Sequence, residues 1–348
     1  MNKQIAEAVS RSRRIVSACS CFLLLLLTLS SVALAQSGTW ARQRSGTMAW
    51  LHAVFFLDQN RGWVVGSKGI VLQTRDGGNT WTARSASTED VVRDIFFIDD
   101  QNGWLVCEVN SYQLKTKEQP RAYLMKTTDG GEHWKRVEIK GFDVDSVLVR
   151  AVFSRKGRGW TFGDAGQIYT THDAGDTWVA LRSPTRHLLL GGIFVDEDRG
   201  WLVGAGATII QTSDGGDTWY QSTLPQVEKS VRFTATSFVD NRKGWAVGSG
   251  GSVYRTVNGG RTWERQQSTV DVDLFDVKFV DAVEGWAVGA EGTIIHTSDG
   301  GEHWTTERSG TPHPLERVFF SDRKHGWAVG FGGTVVSYLR NEASATRQ

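Results

Sequence analysis

The sequence predicts an all-β chain folded as a single seven-bladed β-propeller, and three observations carry that prediction. Gly-Trp recurs seven times, ending at Trp63, Trp104, Trp160, Trp201, Trp245, Trp286 and Trp327, with spacings of 41, 56, 41, 44, 41 and 41 residues. A second element, T-x-[DN]-x-G-x-[TH]-W, follows six of them: Thr74–Trp81, Thr127–Trp134, Thr171–Trp178, Thr212–Trp219, Thr256–Trp263 and Thr297–Trp304. Thr39-Trp40 is the tail of such an element without its beginning, and Trp40 precedes Trp63 by the same 23 residues that separate Trp81 from Trp104. Self-similarity at this period marks a repeat architecture. A first strand in phase with the missing last strand of repeat 7 is what a closed ring needs. A solenoid would have no use for it.

Residues 1–35 precede the fold. Lys3, Arg11, Arg13 and Arg14 form a positive start, Phe22 to Ala35 is apolar, and Ala33-Leu34-Ala35 before Gln36 is an A-x-A cleavage site. That order reads as a secretory signal peptide. Val16–Cys19 imitates a lipoprotein box but lies ahead of the apolar run. The mature chain is expected to be exported, to the periplasm or the exterior, or to the thylakoid lumen in an oxygenic phototroph. It spans 36–340 as the propeller, with 341–348 a tail.

Each repeat divides into four short strands between turn residues. In repeat 6 these are Leu274–Val280, Gly285–Gly289, Thr293–His296 and His303–Arg308. Seven such sheets set radially leave only short, protected edges. Fourteen of the 15 tryptophans acquire a repeat position, and only Trp50 is left over. Repeat 2 carries 12 extra residues around Cys107–Tyr123.

Composition narrows the function. With 39 Lys+Arg against 38 Asp+Glu, bulk electrostatic binding of nucleic acid is excluded. Without the leader the balance is 35 to 37, a net of −2, and Cys107 is the one cysteine left, so no intramolecular disulfide forms. A lone Cys after an apolar strand reads as buried and inert. No cofactor or metal motif is present.

The T-x-D-x-G-x-T-W element resembles the Asp-box of sialidase-type BNR repeats. Joined to the Gly-Trp strand, as in GWAVGAEGTIIHTSDGGEHW (residues 285–304) and GWAVGSGGSVYRTVNGGRTW (residues 244–263), it is similar to the photosystem II stability/assembly factor family. The resemblance covers Gly38 to about Leu339. It implies a non-catalytic scaffold that holds a membrane-protein client during assembly, through an arginine-rich patch; a monomer with peripheral membrane association is expected. The alternative is a glycan-binding or glycan-cleaving propeller.

Asp76, Asp129, Asp173, Asp214 and Asp299 occur once per blade at the periphery and cannot converge on one centre, so they read as turn clamps; Asn258 fills the same place. For catalysis, Asp94 and Asp276 share one repeat position, but glycosidic chemistry needs two carboxyls roughly 5–10 Å apart. The Arg-Ile-Pro element of sialidases is absent. No catalysis is expected.

Binding is expected where loops vary, on the face bearing the connections between repeats. Aligned on Phe56, Phe97, Phe153, Phe194, Phe238, Phe279 and Phe320, the innermost strands begin with His52, Arg93, Arg150 and Arg317 in blades 1, 2, 3 and 7. Arg44 and His313 lie in nearby loops, and Trp50 precedes the first strand of blade 1. Blade 6 brings Asp271, Asp273 and Asp276. The expectation is a basic arc opposite an acidic one, with Arg44, Trp50, His52, Arg93, Arg150 and Arg317 as the partner site. Intramolecular pairing, for example of Arg317 with Glu316, is the competing reading.

Overall fold

In the computed structural model, residues 38–340 are described, apart from 111–113, 115, 117–118, 155 and 225–229. The expected signal peptide and tail lie outside the described residues.

Seven four-stranded antiparallel sheets are present, each in simple sequential order except the last. The innermost strands are Leu51–Phe56, Val91–Phe97, Leu148–Phe153, Leu189–Phe194, Phe233–Phe238, Leu274–Phe279 and Leu315–Phe320. Each lies beside the next, and the first beside the seventh, so the strands close a ring around a central channel. The exception is the closure: Thr39–Gln43 forms the outer strand of blade 7, pairing antiparallel with Thr334–Leu339 in the register Trp40↔Tyr338. In repeat 6 the strands are Leu274–Phe279, Gly285–Gly289, Ile294–Thr297 and Thr305–Glu307. The outer strand is shorter than expected because His303 is taken up by the turn, its backbone N–H donating to Asp299.

The tryptophans explain the ring. Every Gly-Trp indole lies flat on the phenylalanine that ends the next blade's inner strand. The stacks are Trp63 on Phe97 (4.0 Å), Trp104 on Phe153 (4.1 Å), Trp160 on Phe194 (3.4 Å) and Trp201 on Phe238 (3.6 Å). Trp245 on Phe279 (3.5 Å), Trp286 on Phe320 (3.9 Å) and Trp327 on Phe56 (3.5 Å) complete the circle. The second tryptophan of six blades meets the inner-strand phenylalanine of its own blade edge-on at 5.7–6.1 Å, and Trp40 does so to Phe320 in blade 7 at 5.8 Å, so each phenylalanine is held between two blades' indoles. The edge-on pairs suit the aromatic quadrupole, at about 0.5–1.5 kcal/mol each beyond burial, and the flat stacks hold the blades together by burying both ring faces. The glycine before each tryptophan is required as well: a Cβ on Gly62 would sit 2.5 Å from the ring of Phe56.

Blade 2 departs from the pattern. In the other six blades the second strand ends in glycine, where a Cβ would lie 1.9–2.2 Å from a carbonyl oxygen. Cys107 takes that place because the blade-2 ladder runs on, pairing Val92↔Cys107 and Val91↔Glu108. Ala122–Thr127 extends to match, with Cys107↔Tyr123 and Glu108↔Ala122, and the inserted segment leaves from the end of this longer hairpin. Cys107 is buried, which pushes its thiol up to about 12.

The acidic turns are clamps. Thr74 donates its hydroxyl to Asp76 Oδ1 (2.8 Å), the same oxygen accepts the Thr80 N–H (2.9 Å), and Asp76 Oδ2 accepts the Thr80 hydroxyl (2.6 Å). Asn258 fills the same place: its Oδ1 accepts the Thr256 hydroxyl and the Thr262 N–H, both at 3.0 Å, while its Nδ2–H donates to the Thr262 hydroxyl at 2.8 Å, the reverse of the aspartate's third bond. A neutral amide serves equally, so the turn needs the acceptor geometry and not the charge.

Candidate functional site

One irregularity, repeated seven times, builds the mouth of the channel. Each inner strand slips register by one residue near its start, between Leu51 and Ala53, Val92 and Asp94, Leu148 and Arg150, and so on around the ring. The residue in the bulge is left out of the ladder and re-aimed, the usual effect of a β-bulge. These seven residues are His52, Arg93, Val149, Leu190, Thr234, Phe275 and Glu316, and all seven line one cavity of about 270 Å³. Arg150, Arg317 and Arg232 complete its wall.

Below the bulges lies a second tier of charge. The third residue before the terminal phenylalanine is Asp94 in blade 2, Arg150 in blade 3, Asp276 in blade 6 and Arg317 in blade 7. Arg150 Nη2 lies 3.1 Å from Asp276 Oδ1, and Arg317 Nη2 lies 3.4 Å from Asp94 Oδ1. Each carboxylate uses its other oxygen to hold the neighbouring blade: Asp94 Oδ2 accepts the Ala151 N–H (3.1 Å) and Asp276 Oδ2 the Val318 N–H (3.0 Å). Burial raises the Asp94 pKa, opposed by Arg317 and Arg150, and burial lowers that of Arg150, opposed in part by Asp276. Further down, Phe55 meets Phe96 at 5.0 Å and Phe319 at 5.5 Å, so aromatic rings converge beneath the charges.

This arrangement corrects the expectation of a free basic arc facing an acidic one. Arg150 and Arg317 are largely buried and pair with Asp276 and Asp94. Arg317 does not pair with Glu316, which accepts instead from Trp50 Nε1 at 3.1 Å. Arg93 donates Nε–H to Glu108 (2.7 Å), and Arg232 lies 3.8 Å from Asp273, both at the more exposed rim. The four guanidiniums keep further N–H donors, since each holds five and these contacts use few of them. The Arg317 Nε–H is buried without a hydrogen bond.

Burial shapes the charge of the remaining polar groups. Burial, with Arg93 and Arg317 nearby, pushes His52 down to about 3, so its ring is neutral; Nε2 lies 3.1 Å from Ser67 Oγ. Burial also raises Glu316. A wall of guanidiniums and a neutral imidazole suits a carboxylate or phosphate, by charge-assisted bonding.

Of the residues expected from sequence, His52, Arg93, Arg150 and Arg317 line the cavity. Trp50 stands at its edge, stacked on His52 at 5.5 Å. Arg44 is exposed and is not part of the lining. Arg232, Thr234, Phe275 and Glu316 were not expected as lining residues. The alignment on phenylalanine held their signal, but a bulge shifts alternation by one residue and cannot be read from spacing. Among the described residues, no group of three or more His, Cys, Asp or Glu side chains could hold a metal ion.

Comparisons with known proteins give three findings. A family model described as "Photosynthesis system II assembly factor YCF48" matches residues 32–181, 178–270 and 266–339. No curated protein matches the sequence. Among solved structures, one described as YCF48 bound to D1 peptide shares 21% identity at a TM-score of 0.72, covering 89% of this chain and 98% of that one. YCF48 from Cyanidioschyzon merolae shares 21% at 0.70, over 86% and 99%. A GH74 xyloglucanase from Xanthomonas campestris shares 12% at 0.67, but this chain spans only 55% of it. At these identities the structures speak to the propeller fold.

Proposed function

This chain belongs to the family of photosystem II assembly factors, and from that premise we propose that it is an exported, non-catalytic scaffold. It holds a segment of a membrane-complex protein in the mouth of its central channel, as a monomer lying peripheral to the membrane. The observation that carries the reading is the convergence of Arg93, Arg150, Arg232 and Arg317 on one cavity of a protein with almost balanced charge. A related propeller has been solved with a D1 peptide, a subunit segment, bound to it. Guanidiniums recognise carboxylates by planar, bidentate bonds, so an acidic peptide segment is the chemistry that fits.

Hydrolysis finds no support at this site. Asp94 and Asp276 have both oxygens committed to an arginine and a backbone N–H. Neither carboxylate is left for the acid or nucleophile role of a glycosidase.

The test is affinity capture from detergent-solubilised host membranes, with residues 36–348 as bait and an Arg93→Glu/Arg232→Glu variant beside it. These two arginines sit at the exposed rim, with side chains 39% and 50% accessible, so their reversal leaves the buried quartet intact. Recovery of a membrane-complex subunit by the natural sequence and its loss in the variant is the expected result. Equal recovery by both baits, or saturable binding of xyloglucan or sialosides in place of protein, overturns the reading.

A further inference from the structure

Beside the charged cavity lies an apolar surface that the arginines do not account for. Among the described residues, the large apolar side chains left exposed are few, and most stand singly on outer strands and turns. Single exposures of that kind are ordinary. Met48, Trp50 and Phe331 are different: they are 82%, 40% and 45% exposed, and they belong to one place, the junction of blades 7 and 1.

Trp50 and Phe331 meet edge to face at 5.3 Å, and His313 closes on Phe331 at 5.5 Å. The loop carrying Met48 is fixed against the same turn: Ser45 Oγ donates to the Gly333 carbonyl (2.6 Å) and the Gly333 N–H donates to Ala49 (2.8 Å). Phe331 opens the turn between the second and third strands of blade 7, where blades 1, 3, 5 and 6 have Ser67, Asp164, Ser249 and Ala290. A large apolar group at that position is peculiar to this blade among those. The patch and the cavity also share a wall, since Trp50 stacks on His52 and its indole N–H is held by Glu316, both cavity-lining residues.

We propose that Trp50, Phe331 and Met48 form an anchor site for an apolar side chain of the same peptide segment whose carboxylate enters the arginine-lined cavity. This rests on the reading of the cavity given above and adds its specificity: an acidic residue with a leucine-sized or aromatic neighbour within one or two positions. The short reach follows from the shared wall, because a chain advances at most about 3.6 Å per residue. Rigid aromatic side chains at the edge of a polar site are frequent carriers of interface energy. Glu316 fixes the Trp50 ring in place, so little side-chain freedom is lost on binding.

The test uses a phage-displayed library of random 12-residue peptides, panned on residues 36–348, on Trp50→Ala/Phe331→Ser, and on Arg93→Glu/Arg232→Glu. All four substituted side chains are well exposed, and thermal melts confirm that the variants fold. The natural sequence is expected to enrich peptides with an acidic residue and a large apolar residue one or two positions away. The aromatic variant is expected to keep the acidic preference, lose the apolar one, and bind a selected peptide about tenfold more weakly. The arginine variant loses the acidic preference. If the natural sequence selects acidic residues without an apolar neighbour, or the aromatic variant keeps the apolar preference, the anchor site is wrong while the cavity stands. If the natural sequence selects no acidic residue, the cavity reading fails and the anchor with it.

Discussion

Trp327 lies flat on Phe56 at 3.5 Å, joining the seventh blade to the first by the same stack that joins every other neighbouring pair. The ring is therefore closed twice, once by this stack and once by the pairing of Thr39–Gln43 with Thr334–Leu339. Trp327→Ala should cost about 3–5 kcal/mol, as for a buried aromatic elsewhere, and fall within about 1 kcal/mol of Trp160→Ala. Urea unfolding of both variants checks this. A much milder effect at Trp327 would mean the closing stack carries no special share of cooperativity.

The quartet of Asp94, Arg150, Asp276 and Arg317 should behave as coupled pairs. Arg317→Met leaves Asp94 buried without its cation and should cost about 3–5 kcal/mol. Adding Asp94→Asn, which retains an acceptor for the Ala151 N–H, should recover most of that loss. A double-mutant cycle by urea titration reads the coupling directly, and additive effects would show the pairs to be independent.

His52 makes stability depend on acid. Its folded-state pKa, pushed down to about 3, lies below the unfolded value near 6.5. The unfolded chain therefore binds the proton first, and stability falls as pH drops from about 6.5 towards 3. His52→Gln removes that linkage. Between pH 7 and pH 5 the natural sequence should lose about 2 kcal/mol more than the variant, measured by urea unfolding at each pH.

The acidic turns should tolerate loss of charge and resist loss of the acceptor. Asp76→Asn is expected within about 0.5 kcal/mol of the natural sequence, as Asn258 already shows the neutral clamp at work. Asp76→Ala orphans the Thr80 N–H and hydroxyl and should cost about 1–2 kcal/mol. Differential scanning calorimetry distinguishes the two.

Cys107 should be silent in the native state. Burial pushes its thiol up to about 12, which leaves almost no thiolate at neutral pH. Reaction with a disulfide reagent should proceed only in denaturant. Rapid labelling of the folded protein would show that the blade-2 hairpin opens.

The blade count, the ring closure and the placement of fourteen tryptophans were legible because each rests on a motif repeated in phase. The charged mouth was legible only in part. Aligning on phenylalanine brought Arg150 and Arg317 to the channel, and the same column holds Asp94 and Asp276. Which arginine meets which carboxylate depends on how far apart the blades stand around the ring, and chain spacing does not encode that distance. The bulge that turns Thr234, Phe275 and Glu316 inward is likewise a backbone event with no residue signature of its own. Trp50 stands out in the sequence as the tryptophan without a repeat position, whereas nothing in the spacing points to Phe331, which only the fold brings to it.

Site-specific photo-crosslinking distinguishes a client held at the mouth lined by Arg93 and Arg232 from one held elsewhere on the ring. A photoreactive residue is placed at Arg232, or at Asn79 in an acidic turn on the opposite face, and host membranes are irradiated with each. Position 232 should capture a membrane-complex subunit, identified by mass spectrometry, and position 79 should not. Capture of that subunit from position 79, or equally from both, would place the client away from the channel mouth.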